Sequence, residues 1–169
     1  MKILIVSDTH GQMENFKEVL DIVSPVNYLI HCGDVGFGAD VIQQMAGCPV
    51  SCVKGNNDFG TDLPAEEELA IAGKRILIIH GHRNGVHHGY SGVKEAAKER
   101  GCDVVMFGHT HMLVIDSEDP EVTLINPGSL TFPRQPGRKP SYIIMSTDRL
   151  GHVMYTLNYL NKAERSWFY

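Results

Sequence analysis

Short apolar runs alternate with amphipathic stretches over the first two thirds of the chain, and five of the runs are followed within three residues by an Asp, Asn or His. This alternation constrains the fold more than any other feature of the sequence. Lys2 to Val6, rich in β-branched and aliphatic residues, predicts a buried strand. Phe16, Val19, Leu20 and Val23 then recur at helical spacing, and Pro25 stops the helix. Tyr28 to Cys32 predicts a second strand, Asp40 to Ala46 a short helix and Val50 to Val53 a third strand. Glu68 to Ala72 and Arg75 to Ile79 flank the turn residues Gly73-Lys74, which predicts an antiparallel hairpin. Ser91 to Arg100 predicts a helix stopped by Gly101, and Val104 to Phe107 a further strand.

Beyond that point only strands are expected, over Met112 to Ser117, Val122 to Ile125, Tyr142 to Ser146 and Val153 to Asn158. Strands alternating with helices argue a layered α/β fold, and the β-rich end argues a second sheet packed on the first. No linker, repeat or low-complexity segment divides the chain, so residues 1–169 are expected to form one domain. Thr131 to Pro140, with three prolines and two arginines, is the expected mobile loop.

Composition removes several classes of function. Fifteen Lys plus Arg against twenty Asp plus Glu give a net charge of −5 with no basic stripe, which argues against nucleic acid as a partner. No apolar stretch approaches the roughly 18 residues needed to span a bilayer, and the apolar start of the chain is too short for a signal peptide. Cys32, Cys48, Cys52 and Cys102 have no CxxC spacing and sit largely in apolar runs. They read as small hydrophobes in a reducing, cytoplasmic setting. A homo-oligomer is compatible with all of this.

Histidine is concentrated: of nine, six fall between His80 and His111. Asp8 and His10 follow the first strand, Asp34 the second and Asn56 the third. His80 follows the hairpin, and His109 and His111 follow Val104 to Phe107. Ligands of α/β sheets gather at the carboxyl ends of the strands, so seven oxygen and nitrogen donors converge on one rim. Taken singly, Asp8 reads as a helix or turn cap and Gly55-Asn56-Asn57-Asp58 as a turn. Taken together, they do not. Carboxylate, imidazole and amide donors without thiolate suit Mn, Fe, Ni, Co or Zn. Seven donors exceed one ion but suit two ions bridged by a shared carboxylate, the usual device for displacement at phosphorus.

Asp8-x-His10, Gly33-Asp34, Gly55-Asn56-x-Asp58, His80-Gly81-His82 and Gly108-His109-x-His111 resemble the five blocks of the calcineurin-like metallophosphoesterase superfamily, over residues 3–155. Asn126-Pro127-Gly128-Ser129 with Pro133-Arg134 is similar to its small YfcE-like bacterial and archaeal phosphodiesterases. The resemblance implies a four-layer α/β/β/α sandwich, with two mixed sheets flanked by helices. It implies two divalent ions per chain, manganese first among them. One ion would take Asp8, His10, Asp34 and His111; the other would take Asp34, Asn56, His80 and His109. A hydroxide bridging the ions would attack a small-molecule phosphodiester, with Asp34, Asn56, Asn57 and His82 as the catalytic set. Many relatives carry His directly after the motif Asn, where this chain has Asn57, which cannot act as a general acid at neutral pH. His82 is the substitute considered for the leaving-group proton. His87 and His88 read as exposed loop residues and His31 as packed, while His152 has no chemical context. The alternatives are a non-catalytic metal-binding scaffold like the retromer subunit of the same fold, a phosphomonoesterase or a nuclease.

Overall fold

The computed structural model describes residues 1–161. Residues 162–169, the end of the expected domain, lie outside the described residues. In chain order the elements are β1 (Lys2–Val6), α1 (Glu14–Val23), β2 (Tyr28–His31), α2 (Ala39–Ala46), β3 (Val50–Cys52), β4 (Glu66–Ile71), β5 (Lys74–Ile79), α3 (Ser91–Glu99), β6 (Val104–Met106), β7 (Leu113–Asp116), β8 (Thr123–Pro127), β9 (Ser141–Thr147) and β10 (Val153–Tyr159). A single 3₁₀ turn, His82–Asn84, follows β5, where the sequence pattern predicts no element. Otherwise the elements match the expected ones to within two or three residues at each end. The clearest extension is β8, where Asn126 and Pro127 still pair with Val114 and Leu113 although Asn-Pro-Gly reads locally as a turn.

The strands form two five-stranded sheets, in the orders β10-β9-β1-β2-β3 and β4-β5-β6-β8-β7. β1, β2 and β3 run parallel, as do β5, β6 and β8, with antiparallel strands at the remaining pairings, so both sheets are mixed.

Alternation along the central strands builds three cores. Leu4 and Val6 of β1 face α1 and α2, where they meet Phe16, Val19, Leu20 and Ile42. Ile3 and Ile5 face the other sheet and meet Ile76, Ile78, Val104 and Met106. Leu77, Val105 and Leu124 turn outward again to pack on Val93 and Ala97 of α3. Helices, sheet, sheet and helix are therefore stacked in four layers. Strands buried on both faces are why these runs read as continuously apolar.

All four cysteines are free thiols. Burial pushes the Cys32 thiol well up and that of Cys52 up to about 12, so both are inert small hydrophobes. Among the described residues, no helix is long and apolar enough to cross a membrane.

Candidate metal centre

The parallel strands of both sheets end at one rim. Asp8, Asp34 and Asn56 come from the first sheet, and His80, His109 and His111 from the second. The loops after β1 and β2 are laced together: Gly33 O accepts from Asp8 N–H, Asp34 O from His10 N–H and Val35 O from Gly11 N–H. Five of the seven expected donors sit at left-handed φ: Asp8 (55°), His10 (48°), Asp34 (53°), His109 (67°) and His111 (57°). Each such non-glycine residue costs on the order of 1 kcal/mol or more, and such strain concentrates at functional sites.

The glycines of the motifs make room for these side chains. A Cβ on Gly33 would lie 2.6 Å from His80 Nδ1, and one on Gly108 would lie 2.8 Å from Asp8 Oδ2. One on Gly55 would overlap the Asp34 carboxylate and main-chain nitrogen. Gly-Asp, Gly-Asn and Gly-His are therefore packing units as well as donor motifs.

Backbone carbonyls set the histidine tautomers. His80 Nδ1 donates to Cys32 O (2.8 Å) and His111 Nδ1 to Phe132 O (2.8 Å). In the neutral ring, each Nε2 is then left as a lone pair aimed into the centre. There His111 Nε2 lies 3.1 Å from Asp8 Oδ1 and 3.2 Å from His10 Nε2. His80 Nε2 lies 3.1 Å from Asn56 Oδ1 and 3.5 Å from Asp34 Oδ2. Acceptor faces acceptor. Asp8 Oδ1 is buried with no hydrogen-bond partner at all. Two sets of donors lie close enough to share a cation: Asp8, His10 and His111, and Asp8, Asp34 and His80. A divalent ion fits this arrangement, since it resolves the facing lone pairs and satisfies the orphaned oxygen.

The charges couple strongly. Burial alone would raise Asp34, but the adjacent His80 and the hydrogen bonds from Asn57 hold its carboxyl well below the usual range. Burial pulls His80 down, yet the adjacent Asp34 and Asp8 carboxylates raise it above its ordinary value, so the pocket draws positive charge, proton or metal ion, to Nε2. Burial and the neighbouring His80 and His87 lower His109 to about 4.

The expected residues do not all take the same part. Asp34 Oδ2 lies between His80 Nε2 (3.5 Å) and His10 Nε2 (3.8 Å), within reach of both histidine groups. Asp8 belongs to both close sets of donors, although the resemblance implied Asp34 as the shared carboxylate. The ring of His109 lies 5.1 Å from that of His80, outside those sets, while its main-chain N–H donates to Asp8 Oδ2 (3.1 Å). Asn57 is exposed yet bonded: its Nδ2 donates to Asp34 Oδ2 (2.6 Å) and its N–H to Asp34 Oδ1 (2.8 Å). His82 lies in a cleft of ≈ 350 Å³ shared with Asn56, Phe59 and His80. Its Nδ1 is buried without a partner, and burial and the adjacent His80 lower its pKa.

Several residues that the sequence showed only as packed or as parts of a motif support the centre. His31 is fully buried and accepts Gly33 N–H at Nδ1. The Thr9 hydroxyl donates to Val35 O, so its oxygen accepts from His31 Nε2–H, and one neutral tautomer fills every bond. Ser129 Oγ donates to Asp8 O and accepts from the N–H groups of Thr131 and Phe132. Asp58 accepts from Gly36 and Gly55 N–H. His87, exposed as expected, lays its ring 4.5 Å from that of His109. His152 pairs with Asp148 away from the centre. The expected mobile loop at Thr131 to Pro140 is instead tied to the site through Arg134 N–H to His111 O and Thr131 Oγ1 to Thr9 O.

The chain is similar to known proteins over most of its length. Residues 1–150 match the family described as the calcineurin-like phosphoesterase superfamily domain. The chain is 35% identical over 149 residues to a probable metallophosphoesterase of Bacillus subtilis, YsnB, covering 88% of this chain and 85% of the relative. It is 32% identical over 146 residues to the phosphodiesterase MJ0936 of Methanocaldococcus jannaschii, covering 76% and 83%. Among solved structures, a phosphoesterase-like protein of Streptococcus pneumoniae matches with a TM-score of 0.76 at 23% identity, over 93% of this chain and 97% of the other. Vacuolar Protein Sorting 29 of Cryptosporidium parvum matches with a TM-score of 0.73 at 20% identity, over 95% and 98%. With its five motif blocks gathered on one rim and its sequence matched over most of its length, the chain belongs to the calcineurin-like phosphoesterase superfamily.

Proposed function

We propose that this protein is a phosphodiesterase that works with two divalent ions, manganese preferred, held by Asp8, His10, Asp34, Asn56, His80, His109 and His111. One observation carries the reading: lone pairs of His111 and His80 face the oxygens of Asp8 and Asn56 at 3.1 Å, on backbone that is strained at five donors. When bound, such ions supply Lewis acidity toward phosphoryl oxygens and a nucleophilic water of lowered pKa. Imidazole-rich donors favour the later transition metals over magnesium.

The surroundings favour a diester. Two hollows flank the centre, one beside Asn56, His80 and His82 and one beside Phe132, enough for the two arms of such a substrate. Asn57 holds Asp34 and has no proton to give at neutral pH. Burial and the adjacent His80 disfavour the protonated form of His82, the form that could assist the departing oxygen. General acid help is worth ~10²–10⁴-fold, so turnover is expected to fall steeply as leaving-group pKa rises from nitrophenol to an alkyl alcohol.

The test combines elemental analysis with hydrolysis of bis(p-nitrophenyl) phosphate. Two ions per chain and manganese-stimulated turnover that a chelator stops are expected. Two bound ions with no turnover on a panel of diesters would replace this reading with that of a non-catalytic metal-binding scaffold.

A further inference from the structure

The segment from Thr131 to Lys139 carries more structure than a connector needs. Ser129 Oγ accepts the N–H groups of Thr131 and Phe132, and Arg134 N–H reaches back to His111 O. Gln135 is buried and donates through Nε2 to Lys139 O and to Ser141 Oγ. Arg138 sits at φ 46°, a left-handed conformation held by its N–H bond to Gln135 O. Together these bonds fix the backbone while leaving the side chains of Arg134 and Arg138 exposed.

Among the described residues neither arginine side chain makes an ion pair or a hydrogen bond, in a chain whose net charge is −5. Both line one hollow, and its wall is Phe132. The Phe132 ring lies 5.3 Å from the ring of His10 and stacks at 14° on that of His111. The hollow is therefore one side chain away from the metal centre.

We infer that Arg134 and Arg138 form a subsite for a second phosphate group of the substrate, so that this enzyme takes phosphodiesters bearing a further phosphate on one arm. Guanidinium groups bind phosphate through charge-assisted, fork-shaped hydrogen bonds. The half-exposed Phe132 ring supplies an apolar floor for the part of that arm between the two phosphates. The inference rests on the phosphodiesterase reading and deepens it.

The test uses two esters with the same leaving group: thymidine 5′-(4-nitrophenyl phosphate) and its 3′-phosphorylated counterpart. For the manganese-loaded wild type, kcat/KM is expected to be about tenfold higher for the 3′-phosphorylated ester, carried by KM. The preference should shrink in about 0.5 M salt, where exposed charges are screened. In Arg134→Gln and Arg138→Gln it should fall to about twofold or less. The preference is a ratio within one protein, so a general loss of activity cancels. Equal kcat/KM values in the wild type, or a preference that survives both substitutions, would overturn the inference. Failure to hydrolyse either ester would instead remove the phosphodiesterase reading. Calorimetric titration of metal-free protein then decides the subsite on its own. Tighter binding of thymidine 3′,5′-bisphosphate than of thymidine 5′-monophosphate, lost in Arg134→Gln, upholds it, and equal binding overturns it.

Discussion

Replacing Gly33 with alanine tests whether the rim glycines exist to make room for the donors. Gly33 sits at φ 97°, and a Cβ there would lie 2.6 Å from His80 Nδ1 and 3.0 Å from the Gly55 nitrogen. Ordinary contact begins at 3.4 Å, so the imidazole must retreat by about 0.8 Å. It has little freedom to do so, because the ring is buried and Nδ1 is bonded to Cys32 O at 2.8 Å. The left-handed backbone costs about 1 kcal/mol. Overpacking adds about 1–3 kcal/mol, and the weakened hydrogen bond adds about 1 kcal/mol. The total is roughly 4 kcal/mol, which for a chain of this size lowers Tm by roughly 12 °C. Gly47→Ala is the matched control: φ is 64° there and nothing lies within 4 Å, so only the backbone cost remains, roughly 3 °C. Thermal unfolding followed by circular dichroism in a chelator measures both. A Gly33→Ala Tm no lower than that of Gly47→Ala refutes the reasoning.

Other outcomes follow from the same geometry. Asn57→Ala removes the amide that orients Asp34 and should weaken metal affinity about 10–100-fold by calorimetry; unchanged affinity would show that the amide is idle. Asp34→Ala should hold fewer than two ions per chain by elemental analysis and lose most of the thermal stabilisation that manganese gives the wild type; two retained ions would contradict its reach toward both histidine groups. Burial lowers His31 from its ordinary value of 6.5 to about 4, so the unfolded chain takes up that proton first as pH falls. The resulting stability is complete above pH 6.5 and declines by about 3 kcal/mol toward pH 4, and denaturant titrations of His31→Gln should show a correspondingly shallower pH dependence.

The layers were legible because β1 and β5 are buried on both faces: Ile3 and Leu4, or Ile76 and Leu77, fill different cores from adjacent positions. The site's address was legible for a related reason, since parallel strands deliver their last polar residues to one rim. Contacts across the sequence were not. Nothing near Pro133 announces that Arg134 N–H will meet His111, or that Ser129 will hold the loop to Asp8. Asn57 read as a missing acid because the resemblance reports which residue type stands after the motif Asn, not which carboxylate it holds. The turn between Asp8 and His10 gave no local sign of left-handed backbone, because neither residue is glycine.

That backbone, together with the vacated Cβ positions at Gly33, Gly55 and Gly108, also dictates the order in which such a centre decays over generations. While cations are used, selection maintains five strained donors and three glycines as one unit. In a lineage that abandons the cations, the unit becomes a pure liability. The first changes to spread there are the ones that relieve it, glycine or asparagine at the strained positions, while 55 stays closed to any side chain by the Asp34 main chain. A descendant can thus keep His80 and all three glycines and already be inert, and the earliest mark of that loss is a glycine or asparagine in place of a strained donor.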